Sequence, residues 1–330
     1  MRLKRFMAAF VAASMVAAIA PEAAMAARVA TGGQVTYYVL HSSDNTLKPS
    51  MTANLSYKYN KKGNKVSESA DYSSVPAVAT QPAEWLGRTD TTYKWKKKRI
   101  TKITTVDQDV DYDEVYNAAT DDYDYVKKVV TTSDTTKKKY KKSGLKRVKT
   151  FDQAGRLTSD IVYSQLKKGR KSSFYGVTYS YDSTTGAADG KRLSTAGIAT
   201  FDKKGRIVKT VTANTTTTQK YWKNGNLKKL VVKYDGGDGE AYKEITKYNK
   251  NGYPKSSVKS GTWYSSQAKA VIGQTSTTTY SYTMQKKCPV SAVVTVDNNY
   301  RAEYTFTTFK KVKKTLNVDS MGNYIGVGPF

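Results

Sequence analysis

The sequence predicts an all-β fold, an antiparallel meander of long hairpins that forms a curved open sheet or a partly closed barrel. Three observations carry this expectation. A short phrase recurs along the chain: an aromatic, often Asp or Asn, two free residues, Gly, a polar residue, then usually an aliphatic. The segments between its copies alternate apolar and polar residues with period two, the pattern of half-buried strands. The chain holds 26 Tyr against 8 Phe and is rich in Thr and Lys, residues that suit a pleated surface and protect its edges. Capped helical spacing is absent after the N-terminal segment, apart from a weak stretch at Ser265–Val271, so less than about a tenth helix is expected.

The phrase appears as YNKKGNKV (Tyr59–Val66), YKKSGLKRV (Tyr140–Val148), FDQAGRL (Phe151–Leu157) and, lengthened, YDSTTGAADGKRL (Tyr181–Leu193). It returns as FDKKGRI (Phe201–Ile207), YWKNGNL (Tyr221–Leu227), YNKNGYP (Tyr248–Pro254) and VDSMGNYI (Val318–Ile325). Asp or Asn at the start of a turn accepts hydrogen bonds from backbone two residues on. Gly then supplies the positive φ that closes a type I turn with a bulge. Each copy therefore reads as a hairpin tip, and Gly63, Gly144, Gly155, Gly205, Gly225, Gly252 and Gly322 are expected at positive φ.

Taken in order, residues 1–26 read as a secretory signal peptide: Arg2, Lys4 and Arg5, an apolar run from Phe6 to Ala20, and an A-x-A site at Ala24–Ala26, with cleavage before Ala27. The apolar run is shorter than the roughly 20 residues of a bilayer span. No other long apolar run follows, so no transmembrane segment is expected in the mature chain. Residues 27–85 hold N-terminal strands and end in a loop, SADYSSVPAVATQPAEW, with two prolines and no base. Residues 86–330 form the hairpin array. Between Asp107 and Asp124 lie eight acids and no base. A calcium loop of the EF-hand kind needs Gly at Tyr112 and Glu at Ala118, so a strand whose acids face neighbouring lysines is the better reading.

The net charge is +28, from 55 Lys and Arg against 27 Asp and Glu. Lysine clusters alternate with aromatics, and Lys94, Lys96, Lys98, Lys137, Lys138 and Lys139 form the candidate basic patch. Such a surface attracts polyanions with strong salt dependence. Nucleic acid is disfavoured as the partner, because a secreted chain meets little of it and no recognition module is present. Catalysis finds little support: His41 is the only histidine, which excludes a catalytic triad or a multi-histidine metal site. No metal site and no cofactor are expected. The lone Cys288 reads as a small buried residue.

FDQAGRL and FDKKGRI resemble the core of the YD repeats of rearrangement-hotspot proteins and related hairpin repeats of bacterial secreted proteins. The resemblance covers short degenerate phrases only. It implies antiparallel sheets curled into shells or open arrays, on cell surfaces or around a toxin cargo; the hairpin array is the part carried over. Together these readings lead to an expectation: a secreted, extracellular or surface-associated, non-enzymatic β-repeat protein that binds anionic cell-wall or extracellular polysaccharide. The alternative is an extracytoplasmic carrier that cups an apolar ligand in a curved sheet.

Overall fold

The computed structural model describes residues 27–330 apart from 42, 77–80, 118–121, 142–143, 165–170, 182–187, 238–239, 266–269, 286–287, 298, 313–316, 321–323 and 326–328. The expected signal peptide, Gly322 and most of the Tyr181–Leu193 turn therefore lie outside the described residues. What is described is all β, without a helix. The strands are β1 (Ala27–His41), β2 (Thr46–Tyr59), β3 (Lys65–Ser74), β4 (Trp85–Lys96), β5 (Arg99–Asn117), β6 (Asp122–Lys141), β7 (Gly144–Phe151), β8 (Leu157–Tyr163) and β9 (Lys171–Tyr181). They continue as β10 (Ala188–Phe201), β11 (Ile207–Thr212), β12 (Thr215–Tyr221), β13 (Leu227–Gly237), β14 (Glu240–Tyr248), β15 (Pro254–Ser265), β16 (Ala270–Gln285), β17 (Cys288–Val296) and β18 (Tyr300–Val312).

Each strand pairs antiparallel with its neighbours in sequence, and β1 also pairs with β18 from Ala27↔Val312 to Val39↔Tyr300. This last ladder closes the meander into an 18-stranded barrel. Of the two shapes left open by the sequence, closure is the outcome, and it removes the two edges an open sheet would expose. Residues 27–85 supply β1 to β3 and the first residue of β4 to this same ladder.

Because the strands alternate in direction, every turn after an even-numbered strand lies at one end of the barrel. Here this is called the tail end, and the opposite one the ribbon end. The phrase is concentrated at the tail end, in the turns at 60–64, 202–206, 222–226 and 249–253. Its copy at 152–156 lies at the ribbon end. The turns are built alike. In the second, the Asp202 N–H donates to the Arg206 carbonyl at 2.9 Å, Gly205 N–H donates to the Asp202 carbonyl at 2.9 Å, and Gly205 has φ +82°. The Asp202 carboxylate accepts the N–H of Lys204 and Arg206, and a register shift follows at Thr200/Phe201. Gly63, Gly155, Gly225 and Gly252 also have positive φ. In YWKNGNL, Trp222 replaces the acid, and Asn224 accepts the Asn226 N–H instead. Gly144 is placed differently: it begins β7, paired with Lys141.

The rest of the phrase has a second use. Arg206 pairs with Asp202 and lies 4.0 Å from the centroid of the Tyr221 ring, which belongs to the next hairpin at that end. The Tyr221 hydroxyl then donates to the Ile207 carbonyl at 2.6 Å. Arg156 and the Leu157 carbonyl engage Tyr181 in the same way, and Arg99 and the Ile100 carbonyl engage Tyr140. A plainer version joins the Trp95 indole N–H to the Lys65 carbonyl. The aromatic, the Arg and the residue after it thus rivet neighbouring hairpins at these three places.

Inside the barrel, alternate residues of β1, β2, β17 and β18 form the main core, with Val35, Tyr37, Tyr57, Ala292, Val294 and Tyr304 buried. The chain after β18 turns back into this core. Phe330 packs against Tyr253, Tyr282, Tyr304 and Phe306 with ring centroids 5.0 to 6.3 Å apart. The buried Asn317 accepts the Leu227 N–H, and the buried Asp319 accepts the Ile100 N–H. The phrase VDSMGNYI belongs to this tail, where Val318 bridges Tyr324, and not to a strand-to-strand tip.

Candidate anion-binding face

Period-two alternation decides which lysines reach the exterior. In β4, Thr91 is buried on the lumen side, and Lys94 and Lys96 point outward and are exposed. In β6, Lys137 and Lys139 are exposed while Lys138, between them, turns to the lumen. Burial lowers the pKa of the Lys138 ammonium, and the Asp319 carboxylate opposes that shift. Lys138 therefore leaves the candidate patch. Lys98 sits in the β4–β5 turn at φ +67°, exposed, and its carbonyl accepts the Ser320 N–H.

Strand register then assembles a row that clustering along the sequence did not show. Lys94 lies opposite Lys102, Lys102 opposite Lys137, and Lys137 opposite Lys149. Four adjacent strands so carry like charges at directly facing positions, about 4.5–5.5 Å apart between Cβ atoms. Lys139 faces Arg147 one step away. The row ends on Asp160, opposite Lys149. The Arg147 hydrogen bond holds the Asp160 carboxyl below its usual range, against a smaller upward push from burial. A second row crosses β12 to β14, with Lys220 opposite Lys229 and Lys229 opposite Lys247. Lys102, Lys149 and this second row were missed because only the pairing register brings them together.

The acidic stretch runs along β5 into the β5–β6 hairpin. Asp111 faces Lys128, which forms an ion pair with Asp113, and Lys127 bonds Glu84 at 2.8 Å. Among the described residues, no three His, Cys, Asp or Glu side chains cluster as metal ligands. A cleft of about 630 Å³ at the ribbon end is lined by Asp107, Asp134, Asp152 and Arg156 among others. Burial pushes Asp152 up, but its bonds with Arg156 outweigh this and hold the carboxyl below its usual range. Asp107 accepts a hydrogen bond from Thr89 at 2.7 Å. His41 is exposed at the end of β1. Cys288 is buried, and burial pushes its thiol up to about 11. No helix among the described residues is long and apolar enough to cross a membrane.

No protein-family model matches the chain, and no curated protein matches it. Among solved structures it is similar to a porin-like protein from Bacteroides uniformis, at 14% identity and a TM-score of 0.35, covering 84% of this chain and 99% of that one. It is also similar to a chain of the TcdB2-TccC3-Cdc42 complex, at 10% identity and a TM-score of 0.20, covering 89% of this chain and 22% of that one. The overlap is low in both, and neither supports a function.

Proposed function

We propose that this chain is a secreted, non-enzymatic β-barrel whose cationic exterior binds anionic polymers such as cell-wall or extracellular polysaccharide. The observation that carries the reading is the row Lys94–Lys102–Lys137–Lys149. Like charges directly opposite in a sheet destabilise it, by roughly 0.2–1 kcal/mol per pair. A sheet built for stability alone would stagger them. A linear polyanion laid across the strands offsets this repulsion at every step and gains from each ammonium.

The exterior also favours water over lipid. A barrel that spans a bilayer needs an apolar outer band about 25 Å tall, and each Lys near its midplane costs roughly 2–4 kcal/mol. Here the outer face carries two rows of lysines. The carrier alternative has less support, because the chain's own tail and Phe330 occupy the buried end of the lumen.

The test is retention of the purified protein on an anionic polymer, heparin or teichoic acid, across a salt titration. Tight binding that weakens steeply with salt is expected, and Lys102→Glu with Lys149→Glu should weaken it about tenfold, as two half-buried surface charges would. Binding that ignores both salt and the double charge reversal would sink the reading.

A further inference from the structure

The β5–β6 hairpin outruns its neighbours. β4 stops pairing with β5 at Gly87↔Asp109, and β7 stops pairing with β6 at Phe151↔Thr135. Beyond these points β5 and β6 pair only with each other, out to Asn117↔Asp122. Such a two-stranded ribbon is marginally stable in water by itself. Its two outer edges are not alike. Beside β5, the Glu84 carboxylate accepts the Tyr112 hydroxyl at 2.8 Å. On the outer edge of β6, among the described residues, nothing pairs with the main chain from Asp122 to Asp134.

A free edge is a template for another strand, and folded proteins guard it with charge, proline or a bulge. This edge is not guarded. It holds no proline, and its ladder with β5 runs without a bulge. Its two lysines lean away from it. Lys127 crosses β5 to reach Glu84 at 2.8 Å, and Lys128 forms its ion pair with Asp113 of β5. Asp124 likewise accepts a hydrogen bond from Asn117 of β5. Every residue from Asp122 to Val130 is exposed. Tyr123, Tyr125, Val126, Val129 and Val130 are five of the eleven large hydrophobics exposed among the described residues, so apolar surface collects where the main chain is free.

We infer that two copies of this chain pair their β6 edges antiparallel about a two-fold axis through Val126, which makes one four-stranded sheet, β5–β6–β6–β5. The segment DYDYVKKVV (Asp122–Val130) is complementary to itself in this register. Val126 faces Val126 of the second copy, Tyr123 faces Val129, Tyr125 faces Lys127 and Asp124 faces Lys128. Facing residues share a face of the sheet, as period two requires. Aromatic and β-branched pairs of this kind stabilise a sheet, and no like charges stand opposite. Asp122 faces Val130, short of Thr135 where β7 takes the edge, so β7 does not obstruct the pairing. The contact is isologous and ends at two copies. It rests on main-chain hydrogen bonds and apolar side chains, and is independent of polymer binding by the lysine rows.

The experiment is sedimentation of the purified protein over a dilution series, with amide hydrogen exchange at each concentration. A reversible monomer–dimer equilibrium that persists at high salt is expected, with nothing larger than a dimer. The amides of residues 122–130 should exchange more slowly as the dimer fills. Two variants test the register, Tyr123→Glu with Val129→Glu, and Tyr123→Lys with Val129→Lys. Both positions are exposed, and circular dichroism checks that each variant keeps its strands. Each variant alone sets like charges opposite across the axis and should stay monomeric. Their equimolar mixture should restore a dimer with one copy of each. A wild-type protein that is monomeric at its highest soluble concentration overturns the inference. So does a dimer whose 122–130 amides exchange as fast as in the monomer. Dimers of either folded variant alone, or a mixture of folded variants that stays monomeric, overturn it as well.

Discussion

At the tail end of the barrel four described turns, at 60–64, 202–206, 222–226 and 249–253, are built alike, and the lumen behind them is filled by Phe330 and the ring of tyrosines around it. At the ribbon end the hairpins differ in length, clefts of about 630 and 560 Å³ open between them, and most of the exposed large hydrophobic side chains among the described residues collect on one ribbon. The same meander makes both ends. What separates them is how much of each turn is specified locally. A five-residue turn with an Asp or Asn cap and a glycine at positive φ sets the register of its two strands and leaves no slack. The rivets from Arg to the next hairpin's aromatic, seen at Tyr140 and Tyr221, then lock neighbours at the tail end. Among the described residues the ribbon end has one turn and rivet of this kind, at Asp152 to Arg156 with Tyr181. The expected lysine patch and the acidic stretch fall on strands β4 to β6, where the ordered wall meets the ribbon.

The contrast can be broken by substitution. The largest effect belongs to the tail. Phe330 is 2% exposed, and Phe330→Ala should cost about 3–5 kcal/mol, the usual range for emptying a buried aromatic site. A melting curve measures it, and a loss below 1 kcal/mol would mean the tail does not hold that end closed. Next comes Gly205→Val, which forces a β-branched residue to φ +82° and should cost more than about 1 kcal/mol. An unchanged midpoint in denaturant would count against the turn. Tyr221→Phe removes only the hydroxyl bonded to the Ile207 carbonyl and should cost about 1 kcal/mol. Tyr125→Ser on the ribbon should move the stability of the isolated chain by no more than about 0.5 kcal/mol, since its ring is exposed.

A pH series sharpens the comparison on the barrel wall. The Asp160 carboxyl is held below its usual range by Arg147. Its contribution to stability is therefore complete above the ordinary carboxylate value, about 3.9, and is lost as pH falls through its lower folded value. The wild type should lose its advantage over Asp160→Asn as the pH drops below about 4. Equal melting shifts for the two proteins between pH 7 and pH 3 would refute the pairing.

Much of the wall could be read from short stretches of sequence, because strand alternation and turn chemistry act over two to six residues. Tyr57 and Tyr59 face inward with Lys58 outward, as period two demands, and Gly63, Gly155, Gly205, Gly225 and Gly252 take the positive φ their turns need. The same period turns Lys138 away from Lys137 and Lys139, although the three are consecutive. Gly144 instead begins β7, and VDSMGNYI folds back on itself through the Val318–Tyr324 bridge.

Closure, the filled end and the charge row needed the whole chain. The β1–β18 ladder joins Ala27 to Val312, and Asn317 reaches Leu227, so nothing near either residue announces its partner. Lys94, Lys102, Lys137 and Lys149 become one row only after three ladders have set their registers. Local composition settles the conformation of each strand because its side-chain period and its turns are local. Which strands meet, and which side chains then stand opposite, depends on contacts between distant residues, and only the folded barrel contains them.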